Sequence, residues 1–181
     1  MNNIIHLSDA LIRRKSVVGE LGSDYSRYFP SWGQLIEFMD KSYLNGNKRA
    51  KDPHKIVCNV KSKDFFIVPW ISKVLADIIK IDKSKITCHL YAGFSPNATA
   101  APPHVDPSNV FFVTMQGVIP WRVFEDGCDY DDETKKMTTR ATISTELKQG
   151  QFCYIPQGIY HAAYPKSSRV GFSFGWRDNN E

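Results

Sequence analysis

The chain is expected to be mainly β, a sandwich or barrel with helices flanking it on the N-terminal side. Three observations predict this. Six short runs rich in branched and aromatic residues crowd the second half, at 87–91, 109–115, 121–124, 138–143, 152–155 and 170–176. Gly, Pro, Asn or charged stretches separate them, as turns separate strands. Helical periodicity is confined to the first half, so the strands do not alternate with helices as in a parallel β-α-β sheet.

The first helix is read from Ser31, which follows Pro30 and stands three residues before Gln34, the spacing of a reciprocal cap. Trp32, Leu35, Ile36 and Met39 then recur at helical spacing, and Gly46 reads as the stop. A second helix begins near Pro69, a residue suited to a first turn, and carries Ile71, Val74, Leu75, Ile78 and Ile79 as one stripe. Both stripes read as core-facing. The texture changes near residue 85, dividing 1–85 (helical) from 86–181 (β) as two parts of one domain. A length of 181 residues suits a single domain.

Composition narrows the function classes. Hydrophobic residues make up 42% and charged residues 23%, an ordinary globular balance. A net charge of +4, spread over both halves, gives no clustered patch, so no nucleic-acid partner is expected. Cys58, Cys88, Cys128 and Cys153 form no CxxC pair, and Cys88 and Cys153 sit in apolar runs, where thiols act as small buried hydrophobes. Reduced cysteines and a cytoplasmic setting are expected. The first ten residues contain His6 and Asp9 and no long apolar core, so they do not read as a leader. No apolar run reaches membrane-spanning length, and no membrane partner is expected.

The chemistry gathers at three residues. His104-Val105-Asp106 stands just before the strongest strand, and in an extended chain residues i and i+2 share a face. Gly150 to His161 reads as strand, turn and returning strand: Pro156 ends the first, Gly158 frees the turn, and His161 starts the return. If these strands are neighbours, two imidazoles and one carboxylate meet on one side of a metal and leave its other positions open. That facial set suits non-haem Fe(II).

The stretch from His89 to Phe124, with Tyr91, Pro102-Pro103-His104-Val105-Asp106, Val110-Phe111-Phe112, Gly117 and Trp121-Arg122-Val123-Phe124, resembles the JmjC and cupin-like branch of 2-oxoglutarate oxygenases. Gly150, Pro156, Gly158 and His161 are similar to the second cupin motif, with Gln151 where an acidic residue is usual. The resemblance covers about half the chain. It implies a double-stranded β-helix, of jelly-roll or cupin type, with His104, Asp106 and His161 as metal ligands and catalytic centre. It implies Fe(II) as cofactor and 2-oxoglutarate as cosubstrate, in a dioxygenase that hydroxylates a small molecule, peptide or protein side chain. The family commonly places a lysine for the distal carboxylate of 2-oxoglutarate where this chain has Ile119. Arg169 is the expected substitute, since a guanidinium can hold a carboxylate through parallel hydrogen bonds. Tyr91 stands where the family has a cosubstrate tyrosine; Thr114 and Asn109 are further candidates to contact the cosubstrate.

Plainer readings stand beside these. Both histidines also fit a hydrogen-bonded core role, and Asp106 a turn before Pro107. Arg169 also fits an exposed strand end. His89 reads as structural or substrate-facing, though as a further ligand it would bring the set closer to a cupin metal site. His6 and His54 read as surface residues. Trp121, Phe124, Phe172, Phe174 and Trp176 read as core or barrel lining. The acidic run 125–133 reads as a solvated hairpin. Two other functions share the fold: a cupin metalloenzyme that does not use 2-oxoglutarate (an isomerase, lyase or dioxygenase), favoured by Ile119, and a non-catalytic binding module. Substrate identity, oligomeric state and pathway are not encoded legibly.

Overall fold

The strands after residue 86 have too little room to bury both faces alone, and the fold solves this with two sheets and a helical cover. In the computed structural model, which describes residues 2–44, 55–95, 98, 100–131 and 136–178, the elements run α1 (Asn2–Arg13), β1 (Val17–Glu20), α2 (Trp32–Leu44), β2 (Lys55–Val60), α3 (Ile67–Ile79), β3 (Thr87–Gly93), β4 (Asn109–Gln116), β5 (Ile119–Phe124), β6 (Tyr130–Asp131), β7 (Lys136–Met137), β8 (Ile143–Leu147), β9 (Gln151–Ile155), β10 (Tyr160–Ala163) and β11 (Arg169–Trp176). The large sheet has the antiparallel order β1-β9-β4-β11-β3-β2, and the small sheet β10-β5-β8. The fold is the double-stranded β-helix with N-terminal helices.

Alternation along each strand feeds two cores. One face of the large sheet, with Leu90, Phe111, Val113, Phe172 and Phe174, packs under α1, α2 and α3 through Leu7, Leu35, Ile71 and Leu75. The other face, with Val110, Phe112, Cys153 and Ile155, meets Ile119, Trp121, Val123 and Leu147 of the small sheet. A sheet covered on both faces calls for an unbroken apolar strand, and β4 is buried at every residue but its last. Each fully buried Phe of this kind contributes about 1.5–3 kcal/mol through removal from water.

The helix signals are realised. Ser31 and Gln34 cap α2 reciprocally: Gln34 N donates to Ser31 Oγ at 3.3 Å, and Ser31 N donates to Gln34 Oε1 at 2.9 Å. Pro69 lies in the first turn of α3, where a missing N–H costs nothing. Ile36 departs from its expected core-facing role, being 47% exposed, because the buried stripe of α2 runs through Leu35 and Met39. The stop read at Gly46 lies outside the described residues.

Two differences concern strands. The N-terminal part also supplies β1 and β2, which close the two edges of the large sheet against β9 and β3. The strand expected at 138–143 is instead β8, Ile143–Leu147, paired with β5. Thr142 stays outside it because its N–H and hydroxyl bind the end of the neighbouring strand, at Val123 O and Glu125 N. Cys58, Cys88 and Cys153 are buried free thiols, and no described helix is long and apolar enough to cross a membrane.

Candidate metal centre

The small sheet leaves one edge of β10 open, and His104 fills it. His104 N donates to His161 O at 3.1 Å, and His161 N donates to His104 O at 2.9 Å, an isolated antiparallel bridge. Residues paired this way point their side chains to the same face, and the rings lie 4.5 Å apart. Asp106, two residues on, faces the same way. The turn that carries β9 into β10 is tied to it, since Gly158 N donates to Asp106 O at 3.2 Å. That turn needs Gly158, whose φ of 81° is disfavoured for other residues.

His104 Nε2 is 3.8 Å from Asp106 Oδ1, and His161 Nε2 is 3.4 Å from Asp106 Oδ2. One ligand atom from each of the three residues falls within 4.8 Å of the others, and among the described residues no other cluster of this kind exists. Both Nδ1 atoms are taken: His104 Nδ1 meets Pro102 O at 2.8 Å, and His161 Nδ1 meets Ile159 O at 2.9 Å. A carbonyl only accepts, so each Nδ1 must carry a hydrogen, which leaves the inward-facing Nε2 atoms free to ligate. Two nitrogen lone pairs and a carboxylate turned towards one another need a positive charge between them. A proton on the imidazoles can supply it; so can a divalent metal ion. The His161 ring, with Nε2 at 3.4 Å from Asp106, is the chief cause holding that carboxyl below its ordinary range; partial burial opposes the effect.

These three side chains open into a cavity of about 280 Å³ between the two sheets, lined mainly by apolar groups such as Val110, Phe112, Ile119 and Trp121. Arg169 and Tyr91 also line it. Arg169 is only 6% exposed, yet no carboxylate among the described residues pairs with it. Its Nη2 donates to Ala98 O, while Nη1 is buried without a partner among the described residues. Burial pulls the guanidinium's pKa down, as expected for a charge removed from water. Gly93 makes room for it: a Cβ there would stand 2.3 Å from Nη1 and 2.6 Å from Cζ.

Thr114 belongs to the same face of β4 as Val110 and Phe112, and it lies opposite Gly171, two residues from Arg169. Its hydroxyl is fully buried and has no partner among the described residues. Asn109 is on the opposite face of β4, and its amide is spent there. Oδ1 accepts from Tyr154 Oη and Gln157 N, and Nδ2 donates to Asp178. That placement takes it away from the cosubstrate candidates. His89, on β3, is outside the metal-type cluster. His54 and the side chain of His6 fall outside what the structure describes.

Residues that sequence reasoning passed over include Gly93 and Ala98, which cradle Arg169, and Trp121, read only as lining. Trp121 Nε1 is buried without an acceptor among the described residues. Spacing carries no signal for such a donor, since its meaning depends on what the far wall presents.

A family model described as the JmjC domain matches residues 69–181. The ribosomal protein uL16 3-hydroxylase of Escherichia coli (strain K12) is 31% identical over 96 residues, which is 50% of this chain and 26% of that protein. The E. coli ribosomal oxygenase YcfD in complex with cobalt and 2-oxoglutarate matches in fold, with TM-score 0.66 and 18% identity over 96% of this chain and 52% of that one. The same protein with cobalt and succinic acid gives TM-score 0.65, also at 18% identity, over 96% and 52%. The chain thus spans about half the length of these solved relatives.

Proposed function

We propose, for a chain that belongs to the JmjC domain family, that it is an Fe(II)- and 2-oxoglutarate-dependent oxygenase that hydroxylates a protein side chain. One observation carries the reading: a three-ligand metal set shares a cavity with a buried arginine whose charge has no partner among the described residues. A buried cation without an anion is costly, so an incoming carboxylate is what Arg169 lacks. The donor chemistry fits both groups. Two neutral imidazoles and a carboxylate suit Fe(II), and they leave positions for a chelating acid and oxygen.

Bound iron supplies the oxidative chemistry, and the balance is 2-oxoglutarate, O₂ and a C–H bond giving succinate, CO₂ and C–OH. The protein's residues hold and orient. Pro102 O and Ile159 O fix the imidazoles through their Nδ1 hydrogens, so the Nε2 atoms stay turned inward. Arg169 Nη1 and the Thr114 hydroxyl are the donors for the distal carboxylate. This moves the anchor to β11 from the place on β5 where the family has a lysine and this chain has Ile119. Phe112, Val110 and Ile119 keep water from the path between metal and anchor.

The uL16 3-hydroxylase acts, by its name, on a ribosomal protein, and YcfD is named a ribosomal oxygenase. A protein substrate is the class this supports, with a cytoplasmic setting to match. The cupin reading without 2-oxoglutarate rested on Ile119, and the orphaned guanidinium of Arg169 outweighs it. Incubating purified protein with Fe(II), 2-oxoglutarate and oxygen should yield succinate by mass spectrometry. Metal binding with no cosubstrate binding at all would return the reading to the cupin alternative.

A further inference from the structure

We propose that the indole N–H of Trp121 donates a hydrogen bond to bound 2-oxoglutarate, making Trp121 a positioning residue for the cosubstrate. The inference rests on the oxygenase reading above and deepens it. Trp121 is 7% exposed and lines the cavity, yet Nε1 has no acceptor among the described residues. A buried donor left unpaired is costly, so its presence on a cavity wall points to a ligand that accepts from it.

Its neighbours say where that ligand lies. The Trp121 ring stacks on His161 with centroids 5.8 Å apart at 30°, and it leans on Phe112 at 4.9 Å. The Phe112 ring in turn covers Gly171, where a Cβ would come within 2.0 Å of Cζ. Gly171 faces Thr114 across the ladder and is two residues from Arg169. His161, Trp121, Phe112 and Gly171 therefore form a continuous run from metal ligand to anchor. A five-carbon diacid stretched between the two ends must lie along it. Trp121 is the only residue of that run with a side-chain donor besides the ligand itself, and a carboxylate or keto oxygen is the acceptor it meets. The indole holds no charge, so it favours the oxygen-rich ligand by direction and leaves net charge matching to Arg169.

The test is calorimetric titration of 2-oxoglutarate into manganese(II)-loaded protein, which reads binding without turnover. Trp121→Phe keeps a ring against His161 but removes the donor. A second variant, carrying 3-benzothienylalanine in place of Trp121, keeps the bicyclic shape and replaces N–H by sulfur. Both should bind 2-oxoglutarate roughly tenfold more weakly, the scale of one lost hydrogen bond to a charged group. Manganese affinity should be retained, because His161 is fixed independently through Nδ1. Wild-type affinity in the benzothienyl variant overturns the proposal, whatever Trp121→Phe does, since shape and not the N–H would then be what matters. Should wild-type protein bind manganese but no 2-oxoglutarate, the oxygenase reading fails and takes this one with it. Should Arg169→Ala lose the cosubstrate while both Trp121 variants keep it, only the role of Trp121 falls.

Discussion

His104 and His161 bind each other through both backbone hydrogen bonds, at 3.1 and 2.9 Å, before any metal is considered. The two histidines come from segments 57 positions apart in sequence, and a single bridge sets their rings on one face. A slip of one residue in this pairing would turn one ring to the opposite face. The candidate metal site is thus built from sheet register.

Asp106 supplies the one carboxylate of the three-residue cluster, and Asp106→Ala should weaken manganese(II) or iron(II) binding by more than about 100-fold, beyond the usual loss from an outer-shell change. Anaerobic metal titration measures it. Circular dichroism should show the fold intact, because the side chain is partly exposed and helps no core.

Arg169→Ala should raise the 2-oxoglutarate concentration needed for half-saturation by about 100-fold, as for truncating one partner of a buried charged pair, with metal affinity nearly unchanged. Adding Ile119→Lys to that variant should restore part of the binding, since it returns a cation to the cavity from β5. Titrations of the single and double variants test both statements together. A double variant no better than Arg169→Ala means the two positions do not look onto the same carboxylate.

Gly93→Ala is a small change with a directed effect. The new methyl would overlap the guanidinium of Arg169 and stand 2.9 Å from Ala98 Cβ. The expected cost is about 1–3 kcal/mol of stability from overpacking. Cosubstrate affinity should also fall while metal affinity is retained. Chemical denaturation and 2-oxoglutarate titration give the two numbers.

Phe172 lies on the helix-facing side of β11 and is fully buried, packing at 5.1 Å against Phe65. Phe172→Ala should cost about 3–5 kcal/mol, the range for large cavities in a core. Because the mutation leaves the cavity face of β11 untouched, protein that remains folded should bind metal as the wild type does. Urea unfolding followed by metal titration separates the two effects.

Much of this arrangement was legible before the fold was known, wherever local chemistry and global placement agree. Ser31 and Gln34 cap a helix by spacing alone, and the apolar run of β4 announces a strand buried on both faces. His104, Asp106 and His161 stood out because an extended chain presents i and i+2 together and because Gly158 marks the turn before the return. Placement across the sheet was harder. Asn109 and Thr114 are five residues apart on one strand, and only the turning of β4 faces Asn109 towards Tyr154 and Thr114 inward. The β8 strand is read too early because Thr138 and Thr139 carry β-branched side chains, although these bind Asp129 just beyond the end of the β6–β7 pair. The edge strand β2 lies in the half whose periodicity reads as helical, and its pairing with β3 depends on the whole sheet. The cradle of Arg169 is invisible for a similar reason: Gly93 and Ala98 meet the arginine only through the pairing of β3 with β11.

His104, Asp106 and His161 are expected to hold one divalent ion in reach of a carboxylate anchored by Arg169. Anomalous scattering from crystals grown with manganese(II) and 2-oxoglutarate tests it most directly. One strong peak is expected, bonded to both Nε2 atoms and to an Asp106 oxygen, with the far carboxylate of the bound acid against Arg169. A manganese peak elsewhere on the chain, with none between those three side chains, would contradict it.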